Sequence, residues 1–234
     1  MNAPMIELHQ FPPMLGLMNP SPFCMKVEVF LRLAGLEYSV IPAAPMGQPK
    51  GKLPVVRDAD LVVPDSEAIV AHLQRTHGAR MPAALAAPET PRQLLLRRLI
   101  EEHLYFVGMF FRWCEEAGWQ HTRGYFAVVP APLRGLVARL TRRQRKRDLS
   151  SQGLGRHRRE EIAAKGVADL NALSAELGTS PFFGGEEPAA IDASAYALLA
   201  NLFFVPIESP LSAHARSLPN LMAYCERMKA RVGA

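Results

Sequence analysis

The spacing of apolar residues changes along the chain, and residues 5–77 mix strand-like and helix-like segments. Ile6–Phe11 alternates apolar and polar positions, which predicts a strand. Ser21 and Pro22 then predict the start of a helix, because serine is favoured at the N-cap and proline at the first helical position. Apolar residues at helical spacing extend this helix to Gly35, a residue type well suited to end it.

The following segments complete a small α/β unit. Tyr38–Ile41 is predicted to be a second strand, and Val55–Asp58 and Leu61–Val63 are predicted to form a hairpin around a two-residue turn. Asp65 followed by Ser66 begins another helix. The order β-α-β followed by β-β-α is typical of the thioredoxin-like fold, and the crossover helix makes the first two strands parallel.

Beyond residue 79 the strand pattern ends and helical spacing predominates. A segment rich in alanine and proline predicts a linker, and four longer segments predict helices at 91–116, 160–177, 192–203 and 218–232. The sequence therefore predicts an α/β plus all-α protein. Its parts are a thioredoxin-like domain at residues 1–80, a linker at 81–90 and an all-helical domain at 91–234.

Composition agrees with a soluble globular protein, since 49% of the residues are hydrophobic and 21% are charged. Cys24, Cys114 and Cys225 lie at wide, irregular spacing, which predicts reduced thiols and neither a disulfide framework nor a metal site. Met1–Gln10 lacks the basic start and apolar run of a signal peptide. The uncharged stretch Ala193–Ile207 is shorter than the roughly 20 residues of a membrane span. We therefore predict a cytoplasmic protein.

The positive charge is concentrated in one segment. Residues 134–159 contain ten Lys and Arg residues and a single acid, Asp148, whereas the whole chain has a formal net charge of +5. Such a run suits nucleic acid or an anionic membrane surface. It lacks the interleaved aromatic residues of a single-strand binder. We predict a solvated helix end and loop and no nucleic-acid binding, with peripheral membrane contact as the lesser alternative.

Three N-terminal motifs carry a resemblance to a known family. Ser-Pro-Phe-Cys-Met-Lys-Val at 21–27, Gly-Lys-Leu-Pro-Val-Val at 51–56 and Asp-Ser-Glu-Ala-Ile at 65–69 occur in this order. They resemble, respectively, the first helix of cytosolic glutathione transferases, their segment around a cis-proline and their acid-serine helix start. The three motifs together make the resemblance specific, although each alone is weak.

The resemblance implies a protein that binds glutathione and lowers the pKa of its thiol, so that the thiolate attacks a small apolar electrophile between the two domains. Lowering this pKa from about 8.5 to about 6.5 requires roughly 2.7 kcal/mol. A hydrogen bond to a charged acceptor contributes about 1.5–3 kcal/mol, and a helix N-terminus contributes up to about 2 kcal/mol. A hydroxyl at the start of a helix provides both, so Ser21 is the predicted catalytic residue, with a plain N-cap as the alternative.

The same resemblance implies the glutathione-binding residues. Pro54 is expected to be cis, so that the backbone of Leu53 faces the cysteinyl unit, and Lys52 is expected to pair with the glycine carboxylate. Ser66 and the amides of its helix are expected to bind the γ-glutamyl carboxylate, with Asp65 near the ammonium group. Simple capping is the alternative for the last two. The full predicted set is Phe23, Lys52, Leu53, Pro54, Asp65 and Ser66.

Motifs in the helical half are similar to the metaxin and failed-axon-connections branch of the same superfamily, and they lie at 153–157, 182–185, 191–193 and 219–221. This similarity keeps a non-catalytic docking protein open as the second hypothesis. A third is thiol-disulfide exchange through Cys24, although a cysteine at this motif position is more often a buried thiol. A homodimer is expected from the superfamily alone.

Other polar and aromatic residues are predicted to be structural. Asp192 resembles the family's buried helix-capping aspartate, but Ala189 stands where the capping partner would be. Adjacent residues of a helix point apart, so Glu101 and Glu102 beside His103 are not expected to form a metal or acid-base site. The residues for which packing is predicted over a role in a second-substrate site are Trp113, Trp119, Arg156 and His157.

Overall fold

The computed structural model describes residues 6–233. Residues 1–5 and 234 lie outside this part. The first residue of the predicted thioredoxin-like domain, the last residue of the predicted helical domain and the start of the segment Met1–Gln10 therefore lie outside the described residues. The N-terminal part contains β1 (Ile6–Gln10), α1 (Pro22–Ala34), β2 (Tyr38–Pro42), β3 (Val55–Asp58), β4 (Leu61–Pro64) and α2 (Ser66–His77). The remainder contains α3 (Ala83–Ala86), α4 (Pro91–Arg98), α5 (Tyr105–Trp113), α6 (Glu116–Thr122), α7 (Ala131–Gln152), α8 (Arg159–Leu177), α9 (Ala190–Phe203), α10 (Pro210–Arg216) and α11 (Pro219–Val232).

The four strands form one mixed sheet in the order β2-β1-β3-β4. β1 and β2 run parallel, as the crossover through α1 predicts, and β3 is antiparallel to both β1 and β4. Helix α1 begins after Ser21 and ends at Gly35, whose φ of +65° is the left-handed conformation that glycine adopts easily. The predicted thioredoxin-like domain followed by a helical domain is confirmed.

Helices α1 and α9 join the two parts of the molecule. All but three positions of α9 are buried, and it packs along α1 at the centre of the hydrophobic core. α1 also buries one face against the sheet, so it is sandwiched between the sheet and the helical part. The site-bearing end of α1 is thereby fixed from both sides. The predicted domain boundaries at residues 80 and 90 stay predictions, and the intervening segment contains α3 with Leu85 buried.

The long helix predicted over residues 91–116 is present as continuous helical backbone from Pro91 to Trp113, with one irregular segment inside it. A π-helical segment at Leu99–Leu104 separates α4 from α5, and α5 ends at Trp113. Arg142 donates hydrogen bonds of 3.0 Å to the carbonyl oxygens of both Trp113 and Cys114, which satisfies acceptors at the helix end. Gly118 then lets α6 fold back against α5, because a Cβ there would lie 2.0 Å from the Phe111 carbonyl oxygen.

The prediction of a helix end and loop for the basic segment is wrong for residues 134–152, which lie within α7, whereas residues 153–158 form the connection from α7 to α8. α7 is a continuous 22-residue helix that carries most of these cations. Only Ala138 and Leu149 of this helix are buried. A helix with so few buried positions has little helical periodicity of apolar residues in its sequence, which is why it was not predicted. Within residues 6–233, no helix is both long enough and apolar enough to span a bilayer.

Candidate active site

Ser21 stands at the N-cap of α1, at the end of the loop that follows β1. Its backbone is extended, and its Oγ accepts a long hydrogen bond of 3.4 Å from the Cys24 N–H. The Ser21 N–H donates to Oδ1 of Asn19 at 3.0 Å. Asn19 is fully buried, and its Nδ2 donates to the Phe11 carbonyl oxygen at 2.7 Å. The Asn19 side chain therefore ties the start of the loop at Phe11 to its end at Ser21.

Arg112 of α5 holds the same loop from the helical part of the molecule. Its guanidinium donates to the Pro20 carbonyl oxygen at 2.8 Å and to Oδ1 of Asn201 on α9 at 2.8 Å. Sequence analysis did not find Asn19 or Arg112. The Asn19-Pro20 dipeptide is a recognised turn signal that points to the former. No local signal marks Arg112, because its contact joins residues 92 positions apart.

The loop before β3 is brought to the start of α1 by strand pairing. His9 lies opposite Val55 in the antiparallel pair of β1 and β3, so Leu53 and Pro54 lie beside the end of β1. The Leu53–Pro54 peptide bond is cis, as the resemblance implies. The side chain of Leu53 packs with Cys24 and Val55. The motif at 51–56 therefore lies next to the motif at 21–27.

The third motif joins the same end of the sheet. Val55 lies opposite Pro64 in the pair of β3 and β4, which places Asp65 beside Pro54. Asp65 has a φ of +82°, a conformation that is strained for a residue with a side chain and that recurs at functional sites. Its carboxylate accepts from the N–H groups of Glu67 and Ala68 at 3.0 and 3.3 Å, so its capping role is present in the structure. Ser66 follows and is 6% exposed.

Two predicted site residues stand apart from this cluster. Lys52 is exposed on the rim of the loop and forms no ion pair with any residue in the range 6–233. The ring of Phe23 packs edge-to-face on Tyr105 with a centroid distance of 4.8 Å, so it faces the helical part. The structure therefore assembles Ser21, Leu53, Pro54 and the Asp65-Ser66 pair, with Lys52 at the edge and Phe23 at the junction of the two parts.

Cys24 is enclosed by this assembly. The residue has no exposed surface, and burial raises the pKa of its thiol to about 12, although hydrogen bonding with Ser21 and Phe11 opposes that rise. Thiol-disulfide exchange requires the thiolate. The structure therefore disfavours the third hypothesis, and the Cys24 side chain fills the space between α1 and Leu53.

A buried ion pair lies behind α1. Nζ of Lys26 contacts Oε1 of Glu101 at 2.6 Å, and the Ser194 hydroxyl donates to the same oxygen at 2.7 Å. Glu102 points outward to Arg98, so the prediction that Glu101 and Glu102 point apart is confirmed. These contacts tie α1 to the π-helical segment and to α9. The adjoining cavity of about 10 Å³ has room for about one water molecule and not for a substrate.

The remaining singled-out residues have structural contacts. Both carboxylate oxygens of the fully buried Asp192 accept backbone hydrogen bonds, from the N–H groups of Phe183, Gly184 and Ala189 at 2.8–2.9 Å. Trp113 and Trp119 pack against each other in an aromatic cluster, which agrees with a packing role. Within the part of the chain that is described, no group of three or more potential metal ligands is found.

Comparison with known proteins identifies the family. The family model described as glutathione S-transferase N-terminal domain matches residues 22–118, and the one described as glutathione S-transferase, C-terminal domain matches residues 166–228. Isoprene-epoxide--glutathione S-transferase of Rhodococcus sp. (strain AD45) is 34% identical over 235 residues, which cover 96% of this chain and 98% of the relative. The chain belongs to the glutathione S-transferase family.

Other relatives of this glutathione S-transferase family member include failed axon connections and metaxin proteins, and their similarity extends over most of the chain. Failed axon connections of Drosophila melanogaster is 30% identical, with 96% of this chain and 57% of that protein covered. Human Metaxin-2 is 24% identical, with coverage of 91% and 82%. The solved glutathione transferase GSTFuA3 from Phanerochaete chrysosporium has a TM-score of 0.69 at 19% identity, with 98% of both chains covered, and shows the fold alone.

Proposed function

We propose that this protein is a glutathione transferase in which Ser21 activates the thiol of bound glutathione for attack on a small apolar electrophile. The observation that carries the proposal is the position of the Ser21 hydroxyl. It lies half-buried at the N-terminus of α1, next to the Leu53–Pro54 loop, and its contact with the Cys24 N–H is long. A hydroxyl so placed donates to a thiolate while the helix N-terminus favours the negative charge.

The start of α2 supplies the proposed site for the γ-glutamyl end of glutathione. The N-terminus of α2 favours an anion, and the backbone N–H and the hydroxyl of Ser66 are the proposed donors, because the N–H groups of Glu67 and Ala68 already donate to Asp65. Asp65 is exposed and carries the negative charge that the ammonium group requires. Strand pairing places this helix start beside Pro54, so the two halves of the glutathione site adjoin. Lys52 is left on the rim for the glycine carboxylate.

For the electrophile we propose a small apolar epoxide as the first class to test. This choice follows the name of the relative from Rhodococcus. In the reaction the glutathione sulfur forms a bond to an epoxide carbon, the bond between that carbon and oxygen breaks, and the oxygen takes up a proton from water. No metal or redox partner is required by this balance.

The test compares Ser21→Ala with Ser209→Ala, which makes the same change at the N-cap serine of α10. The ultraviolet absorbance of the glutathione thiolate is followed against pH in the complex. We expect the bound thiol to titrate near pH ~6.5 in the unsubstituted protein and in Ser209→Ala, and close to its free value of about 8.5 in Ser21→Ala. Turnover of the epoxide should fall in parallel. Unaltered turnover in Ser21→Ala would sink this role for Ser21.

A non-catalytic docking protein is the second candidate, and the similarity to Metaxin-2 and Failed axon connections supports it. The two candidates differ in a simple assay. A transferase forms the glutathione conjugate at a rate above the uncatalysed reaction, and the rate depends on Ser21. A docking protein of this fold shows no such rate with any electrophile tried, whether or not it still binds glutathione.

We propose two further properties. We propose a homodimer, because β4 and α4 expose the apolar side chains of Leu61, Val62, Leu94 and Leu95. Light scattering coupled to size exclusion tests it, with Leu95→Ser expected to favour the monomer. We also propose a cytoplasmic location, which fractionation of the source cells tests directly.

A further inference from the structure

The outward side of α7 carries a continuous stripe of exposed residues. Leu133, Leu136, Leu140, Arg143 and Arg147 are separated by alternating steps of three and four positions, which places them on one side of the helix. The three leucines are 54%, 58% and 57% exposed. We refer to these five residues as the α7 stripe. The buried positions of this helix lie on the opposite side, so the stripe faces away from the core.

The leucines form an apolar surface at one end of the stripe. Val128, just before the helix, is 74% exposed and extends this surface. Single exposed leucines are common on proteins, but three on consecutive turns with a neighbouring valine make a contiguous patch. Such patches mark places where a protein meets another apolar surface.

The other end of the stripe carries charge that the protein leaves uncompensated. Arg143 and Arg147, with their exposed neighbours Arg139 and Lys146, form no ion pair with any residue that the structure describes. The inner cations of the same helix differ, as Arg142 contacts Glu116 at 3.2 Å and Arg145 contacts Asp148 at 3.0 Å. The carboxylates near α7 are therefore used on its inner side.

A row of leucines followed by arginines on one side of a helix is complementary to an anionic lipid surface. Anionic lipid head groups attract the guanidinium groups, while the adjoining acyl chains accept the leucines. A nucleic acid offers the phosphates and has no use for the leucines. A second copy of the chain, packed antiparallel on the stripe, would set each arginine against a leucine and supply no carboxylate.

We propose that the α7 stripe docks this protein on an anionic membrane surface, with the helix lying in the plane of the interface. The leucines enter the head-group boundary, and the arginines contact lipid phosphate and carboxylate groups. This role is independent of the proposed transferase activity, since the stripe shares no residue with the site around Ser21.

Vesicle sedimentation tests the proposal with the full chain. The probes are vesicles of phosphatidylcholine alone and vesicles in which part of the lipid is phosphatidylserine. We expect binding to the second kind to be at least about tenfold tighter, because each cation near an anionic surface contributes about fivefold. We expect Arg143→Glu/Arg147→Glu to lower this binding by more than about tenfold, and Leu136→Ser/Leu140→Ser by about tenfold.

Two matched variants separate the stripe from general effects. Arg75→Glu/Arg80→Glu makes the same change in net charge at exposed positions in and after α2, and Met46→Ser removes an exposed apolar side chain from the loop after β2. Both should bind anionic vesicles as the unsubstituted protein does. Circular dichroism and thermal melting check that every variant is folded.

Four outcomes would overturn the proposal. The first two are equal binding to the two kinds of vesicle and no binding to either kind. The third is a loss of vesicle binding in the control variants equal to the loss in the stripe variants. The fourth is a loss of vesicle binding in the arginine variant with no loss in the leucine variant, which indicates attraction by charge alone. If vesicles are not bound, two measurements name the true occupant. Self-association abolished by Leu136→Ser/Leu140→Ser assigns the stripe to a second copy, and duplex DNA binding that needs only the arginines assigns it to nucleic acid.

Discussion

The N-termini of α1 and α9 are built from similar parts and differ in how completely those parts are used. At α9 the carboxylate of Asp192 has no exposed surface and accepts three backbone hydrogen bonds of 2.8–2.9 Å. At α1 the hydroxyl of Ser21 is half-buried, and its backbone contact is a hydrogen bond of 3.4 Å. One polar group is saturated by the protein, whereas the other keeps capacity for a ligand.

The difference separates stability from function. A buried acceptor with three donors holds a loop and a helix together, and its removal leaves those donors unpaired. A half-buried acceptor with one long bond stabilises little, but it is positioned by strong contacts around it, from Asn19 and Arg112. The strong hydrogen bonds of Asn19 and Arg112 therefore hold the loop that carries Ser21. The Ser21 hydroxyl itself keeps hydrogen-bonding capacity for a substrate.

The largest effect on stability is expected at the saturated end. Asp192→Ala should lower the free energy of unfolding by about 3 kcal/mol, because two buried N–H groups and one partly buried N–H group lose their acceptor. Urea unfolding measures this, with Asp60→Ala in the exposed turn between β3 and β4 as the control. A loss no larger than that of the control would show that the buried carboxylate is dispensable.

A smaller loss is expected where the frame of the site crosses between the two parts. Arg112→Met should lower the free energy of unfolding by about 2 kcal/mol, since a charged donor loses its hydrogen bonds to Pro20 and Asn201. It should also lower kcat/KM for glutathione conjugation through a looser Ser21 loop. Arg123→Met, at an exposed position, is the control. Reduced stability with unchanged kinetics would show that Arg112 does not position Ser21.

Ser21→Ala should have a smaller effect on stability, about 0.5–1 kcal/mol, because an N-cap side chain is lost while its hydrogen bond is already long. Thermal melting and urea unfolding measure it. Compared with Asp192→Ala, Ser21→Ala should lower the free energy of unfolding less and the rate of glutathione conjugation more. A stability loss equal to that of Asp192→Ala would make Ser21 a structural cap.

The prediction for Cys24 concerns reactivity and not stability. We expect its thiol to be unreactive toward a thiol reagent in the folded protein. Burial raises the pKa of its thiol to about 12, so the thiol stays protonated near neutral pH. Cys225 is equally buried, so a thiol reagent should modify only the half-buried Cys114 in the folded protein. Cys114→Ser should then abolish the native reaction, and unfolding should restore it for the other two. Fast modification of Cys24 would revive thiol-disulfide exchange.

Local signals explain how much of this fold was predictable. The Ser21-Pro22 start, the Gly35 end and the hairpin around residues 59–60 were placed to within one residue, because each depends on neighbours in the chain. The same Ser-Pro signal stands at 209–210, where α10 begins, and it would have identified that helix. α7 was missed because a helix that buries so few residues leaves little apolar periodicity.

The site was predictable to the same extent and for the same reason. The motifs name the residues at the end of the sheet, and strand register then brings them together. The contacts that fix α1 come from distant parts of the chain, and sequence patterns do not show them. They involve Arg112, Asn201 and Glu101, the partner of Lys26. The π-helical segment that presents Glu101 to Lys26 has no sequence signal of its own, since tertiary contacts determine it.

Calorimetric titration of glutathione into the protein, repeated on Ser66→Ala, tests whether the loop before β3 and the start of α2 form a glutathione site. Ser209→Ala serves as the matched control, because it removes an N-cap hydroxyl far from the proposed site in sequence. We expect binding to the unsubstituted protein and to Ser209→Ala, and binding about tenfold weaker in Ser66→Ala, where one hydrogen bond to the γ-glutamyl carboxylate is lost. No binding to the unsubstituted protein would contradict the account and move the docking protein to first place.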